Sequence, residues 1–255
     1  MLTLPPDEIH LWFTFPNKIT DKNLLLNYQQ FLADEERERW QRFHFEKHQH
    51  QYLITRALVR TTLSRYADVN PKEWQFSKNK YGKPAIKNPS SELCFNLSNT
   101  ETLIVCAVSK QQDMGVDVES MQHKSSTVEI AQRFFAKQEV EELLSVPKAK
   151  QRQRFFQYWT LKEAYIKAKG MGLYLPLEQF AFSINESNKS LSLSFDERLQ
   201  DEAKDWQYWL LQVTDSHYAA VCIYNPKKIV YKLRGKHVIP LQDGDGFNLT
   251  LIASS

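Results

Sequence analysis

At 255 residues the chain is long enough for one large domain or two small ones. Its apolar fraction of 42% supplies a buried core, while a mean hydropathy of −0.52 and the lack of any long apolar run exclude a membrane span. A net charge of +3 makes no bulk electrostatic case for nucleic acid. The cysteines, Cys94, Cys106 and Cys222, are odd in number and fit neither a disulfide framework nor zinc, so they read as buried, reduced thiols of a cytosolic protein.

Met1 to Glu8 have no basic region leading into an apolar stretch and do not read as a signal peptide. Ile9 to Phe13 alternate and predict a strand. Residues 34 to 66 read as helix, with Asp34 as cap and Leu53, Ala57, Leu58 and Leu63 as the apolar stripe. Trp74 to Phe76 form a short strand, and Asn79 to Pro84 a loop set by its Gly and Pro. Leu93 to Leu97 and Thr102 to Val108 read as paired strands. After a boundary between Ser109 and Met114, a strand runs from Gly115 to Val118, and helices cover 126–146 and 151–169, divided near Pro147. Gly170 and Gly172 stop the second helix, and strands follow at 179–184, 190–195, 206–213 and 218–224. Residues 226–255 predict a hairpin or a partly flexible tail.

Chemistry concentrates in two segments. In Gly115-Val116-Asp117-Val118-Glu119 the two acids are separated by one apolar residue. Side chains alternate along a strand, so both carboxylates leave one face. Glu163 follows 46 positions after Asp117 (163 − 117 = 46), inside the helical Trp159 to Lys167 segment. Glu163 and Lys167 are neighbours at i and i+4, with Trp159 one turn earlier on the same side. The same spacing also describes an ordinary Glu–Lys helix pair. Three hard oxygen donors from two elements, flanked by lysines, suit Mg²⁺ holding a phosphate ester. His44 and His48 have helical metal-ligand spacing, but Phe45 stands where H-E-x-x-H needs Glu. Basic clusters at Lys148, Lys150, Arg152 and Arg154 and at Lys227, Lys228, Lys232, Arg234 and Lys236 are either solvated faces or a docking surface for an acidic partner.

Together the two segments resemble the G-(I/V)-D-x-E and W-(S/T)-x-K-E-(A/S)-x-x-K motifs of the 4′-phosphopantetheinyl transferases of the larger, surfactin-synthetase-activating type. The resemblance covers about residues 4 to 225. It implies an α+β fold: two similar α+β subdomains related by a pseudo-two-fold, with the active site in the cleft between them. Residues 1–112 would bind coenzyme A, 113–225 would carry the metal site and the carrier docking surface, and 226–255 would be an extension. The implied reaction moves 4′-phosphopantetheine from coenzyme A to a serine of an apo acyl or peptidyl carrier protein, releasing 3′,5′-ADP. Asp117, Glu119 and Glu163 match the family's Mg²⁺-binding acids, with Mn²⁺ as an alternative, and Glu163 also matches its general base. Lys167 matches a lysine at the α-phosphate that protonates the leaving oxygen; Lys162 and Asp117 are further expected contacts to the donor.

Lys80-Tyr81-Gly82-Lys83-Pro84 resembles the family's x-G-K-P loop at the nucleotide end of coenzyme A. Asn96 to Thr100 resembles F-N-(I/L)-S-H-(S/T) from its Asn onward; Ser98 matches a phosphate-contacting hydroxyl, and Asn99 replaces the usual histidine with a neutral amide. Arg37, Arg39 and Arg42 fall where the family has a basic helix start meeting the 3′-phosphate; Glu36 stands where some members have lysine, so Arg39 is the expected carrier of that role. Arg56 and Arg60 are expected to point into the cleft, and Met121, Phe134 and Phe135 in the 120–150 region to meet the carrier. The resemblance further implies a cytoplasmic monomer with no nucleic-acid or membrane partner. Two rivals remain from the residues alone: another Mg²⁺-dependent enzyme acting on phosphate esters, and a non-catalytic carrier-binding module.

Overall fold

The structure, a computed structural model, describes residues 1–110, 113–122 and 127–255. The predicted boundary Ser109 to Met114 includes residues 111 and 112, and the 120–150 docking stretch includes 123–126; these positions lie outside the described residues. The chain forms two compact units of mixed helix and sheet. The first comprises Met1–Lys80, Pro84–Gln112 and Val230–Asn248, the second Tyr81–Lys83, Asp113–Ile229 and Leu249–Ser255.

The first unit opens with β1 (Glu8–Thr14) and continues through α1 (Lys22–Gln29), α2 (Asp34–Gln41), α3 (Glu46–Leu63), β2 (Gln75–Lys78), β3 (Pro84–Asn88), β4 (Cys94–Asn99) and β5 (Ile104–Ser109). The second contains β6 (Met114–Ser120), α4 (Thr127–Phe134), α5 (Lys137–Ser145), α6 (Lys148–Lys169), β7 (Phe180–Asn185), β8 (Ser190–Phe195), β9 (Trp206–Thr214) and β10 (His217–Tyr224). The C-terminal residues add β11 (Lys232–His237), β12 (Asp245–Gly246) and β13 (Thr250–Ser254). Sheet order is β12-β11-β1-β5-β4 in the first unit, beside the β2-β3 hairpin, and β6-β10-β9-β13-β8-β7 in the second.

Each unit has its own apolar core. In the first, Trp12, Phe95, Ile104, Cys106 and Val108 of the sheet pack with Ile54, Ala57, Leu58 and Leu63 of α3. Burying such side chains contributes about 1.5–3 kcal/mol each, and that gain holds α3 where helix propensity alone would not. In the second, α6 lays Phe155, Phe156, Tyr158, Leu161, Tyr165 and Ile166 against Phe180, Phe182, Tyr208, Leu210 and Tyr218. No Gly or Pro interrupts α6 between Pro147, its N-cap, and Gly170, which ends it in the left-handed conformation at φ 67°.

Five expectations need correction. The helix predicted over 34–66 is two helices, broken at Arg42 to Phe45, where the Trp40 indole donates to the Gln49 carbonyl and the Gln49 amide donates to Phe43. Asp34 is its first residue rather than its cap; Glu36 receives the Ala33 N–H at 3.1 Å. The helix predicted over 126–146 is likewise two, because Ala136 is extended and its N–H is held by Glu139 Oε2. Residues 226–255 do contain an antiparallel pair, β11 with β12, but they are also built into both main sheets rather than left as a tail. β11 pairs in parallel with β1, and β13 lies between β9 and β8, with Ala253 fully buried. Finally, Cys94 is half-buried, whereas Cys106 and Cys222 are buried.

Candidate active site

The second unit gathers the two acidic segments. β6 runs against α6, and Gly115 sits directly on the helix backbone. A Cβ there would lie 2.0 Å from the Ala164 carbonyl oxygen and 2.4 Å from the Ala168 nitrogen, so only glycine fits. Two and four residues further on, Asp117 and Glu119 project from the strand toward the helix turn that carries Glu163 and Lys167. The Lys167 ammonium sits 2.6 Å from Asp117 Oδ1. Asp117 is buried at 3% exposure, while Glu119 and Glu163 are half-buried.

The electrostatics follow from crowding. Burial pushes the Glu119 carboxyl up to about 8; the neighbouring Asp117 charge and, more weakly, Glu163 push the same way, against Lys167 and a hydrogen bond from Trp159. Burial, then the Asp117 charge, pushes Glu163 up to about 7, with Lys167 opposing. Three carboxyl groups thus share one ammonium, and two of them resist ionisation. Among the described residues no three His, Cys, Asp or Glu side chains are arranged with metal-ligating geometry. The donor set is nonetheless all hard oxygen, its negative charge exceeds its positive charge, and a cation, the Lys167 ammonium, already rests on Asp117. Those features fit Mg²⁺.

Lys162 does not join this group. Expected as a donor contact, it is fully buried on the other side of α6, 2.7 Å from Glu139 Oε2, and donates to the carbonyls of Leu177 at 2.7 Å and Phe180 at 2.6 Å. Its ammonium is saturated inside the core, which leaves nothing to offer a ligand. Trp159 is the residue whose part was not foreseen. Its indole lies close enough to Glu119 to favour the ionised carboxylate, while its ring stacks on Phe155 at 5.8 Å and Phe135 at 6.1 Å. The one-turn spacing from Glu163 was the available signal. Phe135, expected at a carrier surface, is 5% exposed within that stack; Phe134 is exposed and Met121 half-buried.

Lys83 lies with the second unit, its ammonium 2.8 Å from the Ala168 carbonyl near the C-terminus of α6; the loop's Gly82 has φ +93°, and Pro84 begins β3. In the first unit Lys80 is exposed, Ser98 is buried and Asn99 is exposed at the end of β4. The exposed Arg39 places its guanidinium 5.6 Å from the centre of the Tyr52 ring. Arg56 and Arg60, expected to face a ligand, instead grip Glu36: Arg56 Nη2 is 2.7 Å from one carboxylate oxygen and Arg60 Nη2 2.8 Å from the other. Arg60, 1% exposed, also donates to the Pro71 and Trp74 carbonyls, so it ties α2 and α3 to the segment before β2.

Buried, unbalanced carboxylates beside a lysine suit an enzyme that transfers a phosphate ester. Comparison with known proteins narrows that class. Residues 113–222 match the family described as the 4′-phosphopantetheinyl transferase superfamily, and residues 20–111 match the one described as 4′-phosphopantetheinyl transferase, N-terminal. The chain is 33% identical to the 4′-phosphopantetheinyl transferase HetI of Nostoc sp. over 87% of its own length and 90% of HetI. It is 32% identical to the 4′-phosphopantetheinyl transferase Sfp of Bacillus subtilis over 78% of this chain and 85% of Sfp. A phosphopantetheinyl transferase of Thraustochytrium sp. is 29% identical over 86% of this chain and 80% of that protein. The chain belongs to the 4′-phosphopantetheinyl transferase superfamily and is an enzyme of that kind. Membership implies coenzyme A as donor and a carrier protein as acceptor.

Proposed function

We propose that the acid cluster on β6 and α6 is the catalytic centre for transfer of 4′-phosphopantetheine from coenzyme A to a carrier serine, with Asp117, Glu119 and Glu163 holding Mg²⁺ or Mn²⁺. The observation that carries this is the meeting of those acids with Lys167 in one unit, with two carboxyls raised toward neutral pH. Bound there, the divalent ion would neutralise charge on the pyrophosphate.

Glu163 accepts the proton of the serine hydroxyl. The serine oxygen forms the new bond to phosphorus, and the bond to the 3′,5′-ADP oxygen breaks. Lys167 leaves Asp117 to meet the phosphate and supplies positive charge, and a proton, to the departing oxygen. Arg39, Lys80, Gly82, Lys83, Pro84, Ser98 and Asn99 serve the nucleotide end of the donor. The protein acts as a cytoplasmic monomer, and Phe134 with Lys148 and Lys150, all exposed, contributes to the surface that meets an acidic carrier.

The metal role is tested by stripping the protein with a chelator and titrating Mg²⁺ back. Transfer should vanish and return for wild type. Asp117→Asn with Glu119→Gln should need far more Mg²⁺ or stay inactive. Transfer that survives chelation in full would remove the metal from the scheme.

A further inference from the structure

We propose that Tyr174, with Tyr81 beside it, is the surface on which the purine of the donor stacks. This rests on the transferase reading above. Tyr174 ends the short turn after α6, seven positions beyond Lys167 (174 − 167 = 7), and the residue is 78% exposed. Its centroid lies 5.3 Å from that of Tyr81, with the planes at 49°. The pair is anchored from the loop side, because Lys83, two residues after Tyr81, is bonded to the α6 carbonyl of Ala168 at 2.8 Å. Between the anchor and the ring, Gly82 has nothing within 4 Å of where a Cβ would stand, so the loop faces open space there. The result is an exposed aromatic face, fixed to the end of the helix that carries Glu163 and Lys167.

Among the groups of coenzyme A, the adenine is the one planar aromatic surface. Pantetheine is a flexible chain and the phosphates are tetrahedral anions, so neither gains from a flat ring. Stacking a base on an aromatic side chain is worth about 1–3 kcal/mol and tolerates any base, while the phenol oxygen stays in water. Converted at 1.4 kcal/mol per factor of ten, this is about a 5- to 100-fold effect on donor affinity.

The test compares wild type, Tyr174→Phe and Tyr174→Ala, all expected to fold because the side chain is exposed. KM is measured separately for coenzyme A and for an apo carrier, and 3′,5′-ADP binding is measured at equilibrium without a carrier. Tyr174→Ala should raise the coenzyme A KM and the 3′,5′-ADP Kd by about 5- to 100-fold, with kcat and carrier KM unchanged, and Tyr174→Phe should match wild type. A rise in carrier KM alone would assign the ring to the carrier and overturn the proposal. Unchanged constants in Tyr174→Ala would overturn it as well. Wild type that transfers nothing to any carrier would instead strike the transferase reading, and 3′,5′-ADP binding would still decide the role of Tyr174.

Discussion

Gly115 and Trp159 set the acid cluster from opposite sides. The glycine lets β6 lie directly on the α6 backbone, and the Trp159 indole, in a stack with Phe135 and Phe155, favours the ionised form of Glu119 against its burial. Trp159→Phe keeps the stack and deletes the donor, so Glu119 becomes harder to ionise. The Mg²⁺ concentration for half-maximal transfer should rise by about tenfold or more, as when partners of metal ligands are removed; an unchanged Mg²⁺ requirement would show that the indole only packs. Asp117 with Glu119 and Glu163 with Lys167 were each legible as pairs from strand and helix periods, and the family resemblance implied that the two pairs form one site. The true surroundings of Lys162, Arg56 and Arg60 were not legible, because their carboxylate partners, Glu139 and Glu36, lie twenty or more positions away. His217 offers a pH test away from the cluster. Burial lowers its pKa below the ordinary 6.5, so the unfolded chain takes up the proton first as pH falls. The stability it contributes is complete above pH 6.5 and declines below it. Unfolding free energy of His217→Gln should therefore fall less between pH 7 and pH 5 than that of wild type, in denaturant titrations at each pH.

At the scale of elements, α6 is held by more than apolar packing. Glu139 of α5 accepts the Ala136 and Phe182 N–H groups and pairs with Lys162, so one buried ion pair joins α5, α6 and β7. Both partners are 0% exposed, and the Lys162 ammonium is bonded to Glu139 and to the Leu177 and Phe180 carbonyls, with the Phe180 ring centre 4.2 Å away. Lys162→Met leaves a buried carboxylate without its cation and should cost about 3–5 kcal/mol. Adding Glu139→Leu should recover much of that loss, since an apolar pair avoids the desolvation of both charges. Equal midpoints for Lys162→Met and wild type in urea would contradict this. Most strands were readable to within a residue or two from alternation and turn residues. The helix breaks at Arg42 to Phe45 and at Phe135 to Ala136 were not, because no Gly or Pro marks them. They depend on side-chain bonds to the backbone from Trp40, Gln49 and Glu139.

For the molecule as a whole, the C-terminal residues matter to both units. β11 extends the first sheet beside β1, with Lys232 on Asp7 and Arg234 on Glu8, and β13 fills the second sheet between β9 and β8. The alternating cations of β11 looked like a basic tail in sequence, and parallel pairing with a strand more than two hundred positions earlier leaves no local trace. Ending the chain after Asn248 should expose the β9 edge, uncover the core around Ala253 and destabilise the protein by on the order of 2 kcal/mol or more, with protease cleavage appearing first in β7 to β9. Unaltered melting and cleavage would mean β13 is dispensable. The cluster before Trp159 is also partly consumed: Arg154 pairs with Glu142 and Glu186, and Arg152 donates to the Met121 carbonyl, which leaves Lys148 and Lys150 as its exposed cations.

Transfer of a phosphopantetheine group, with Glu163 as its proposed proton acceptor, stands or falls on one reaction. Intact-mass spectrometry of an apo acyl carrier protein, incubated with the enzyme, coenzyme A and Mg²⁺, tests it directly. One phosphopantetheinyl group should be gained with wild type, none with a carrier lacking its serine, and little or none with Glu163→Gln. No gain across several carrier types while coenzyme A still binds, or an undiminished gain with Glu163→Gln, would contradict the account.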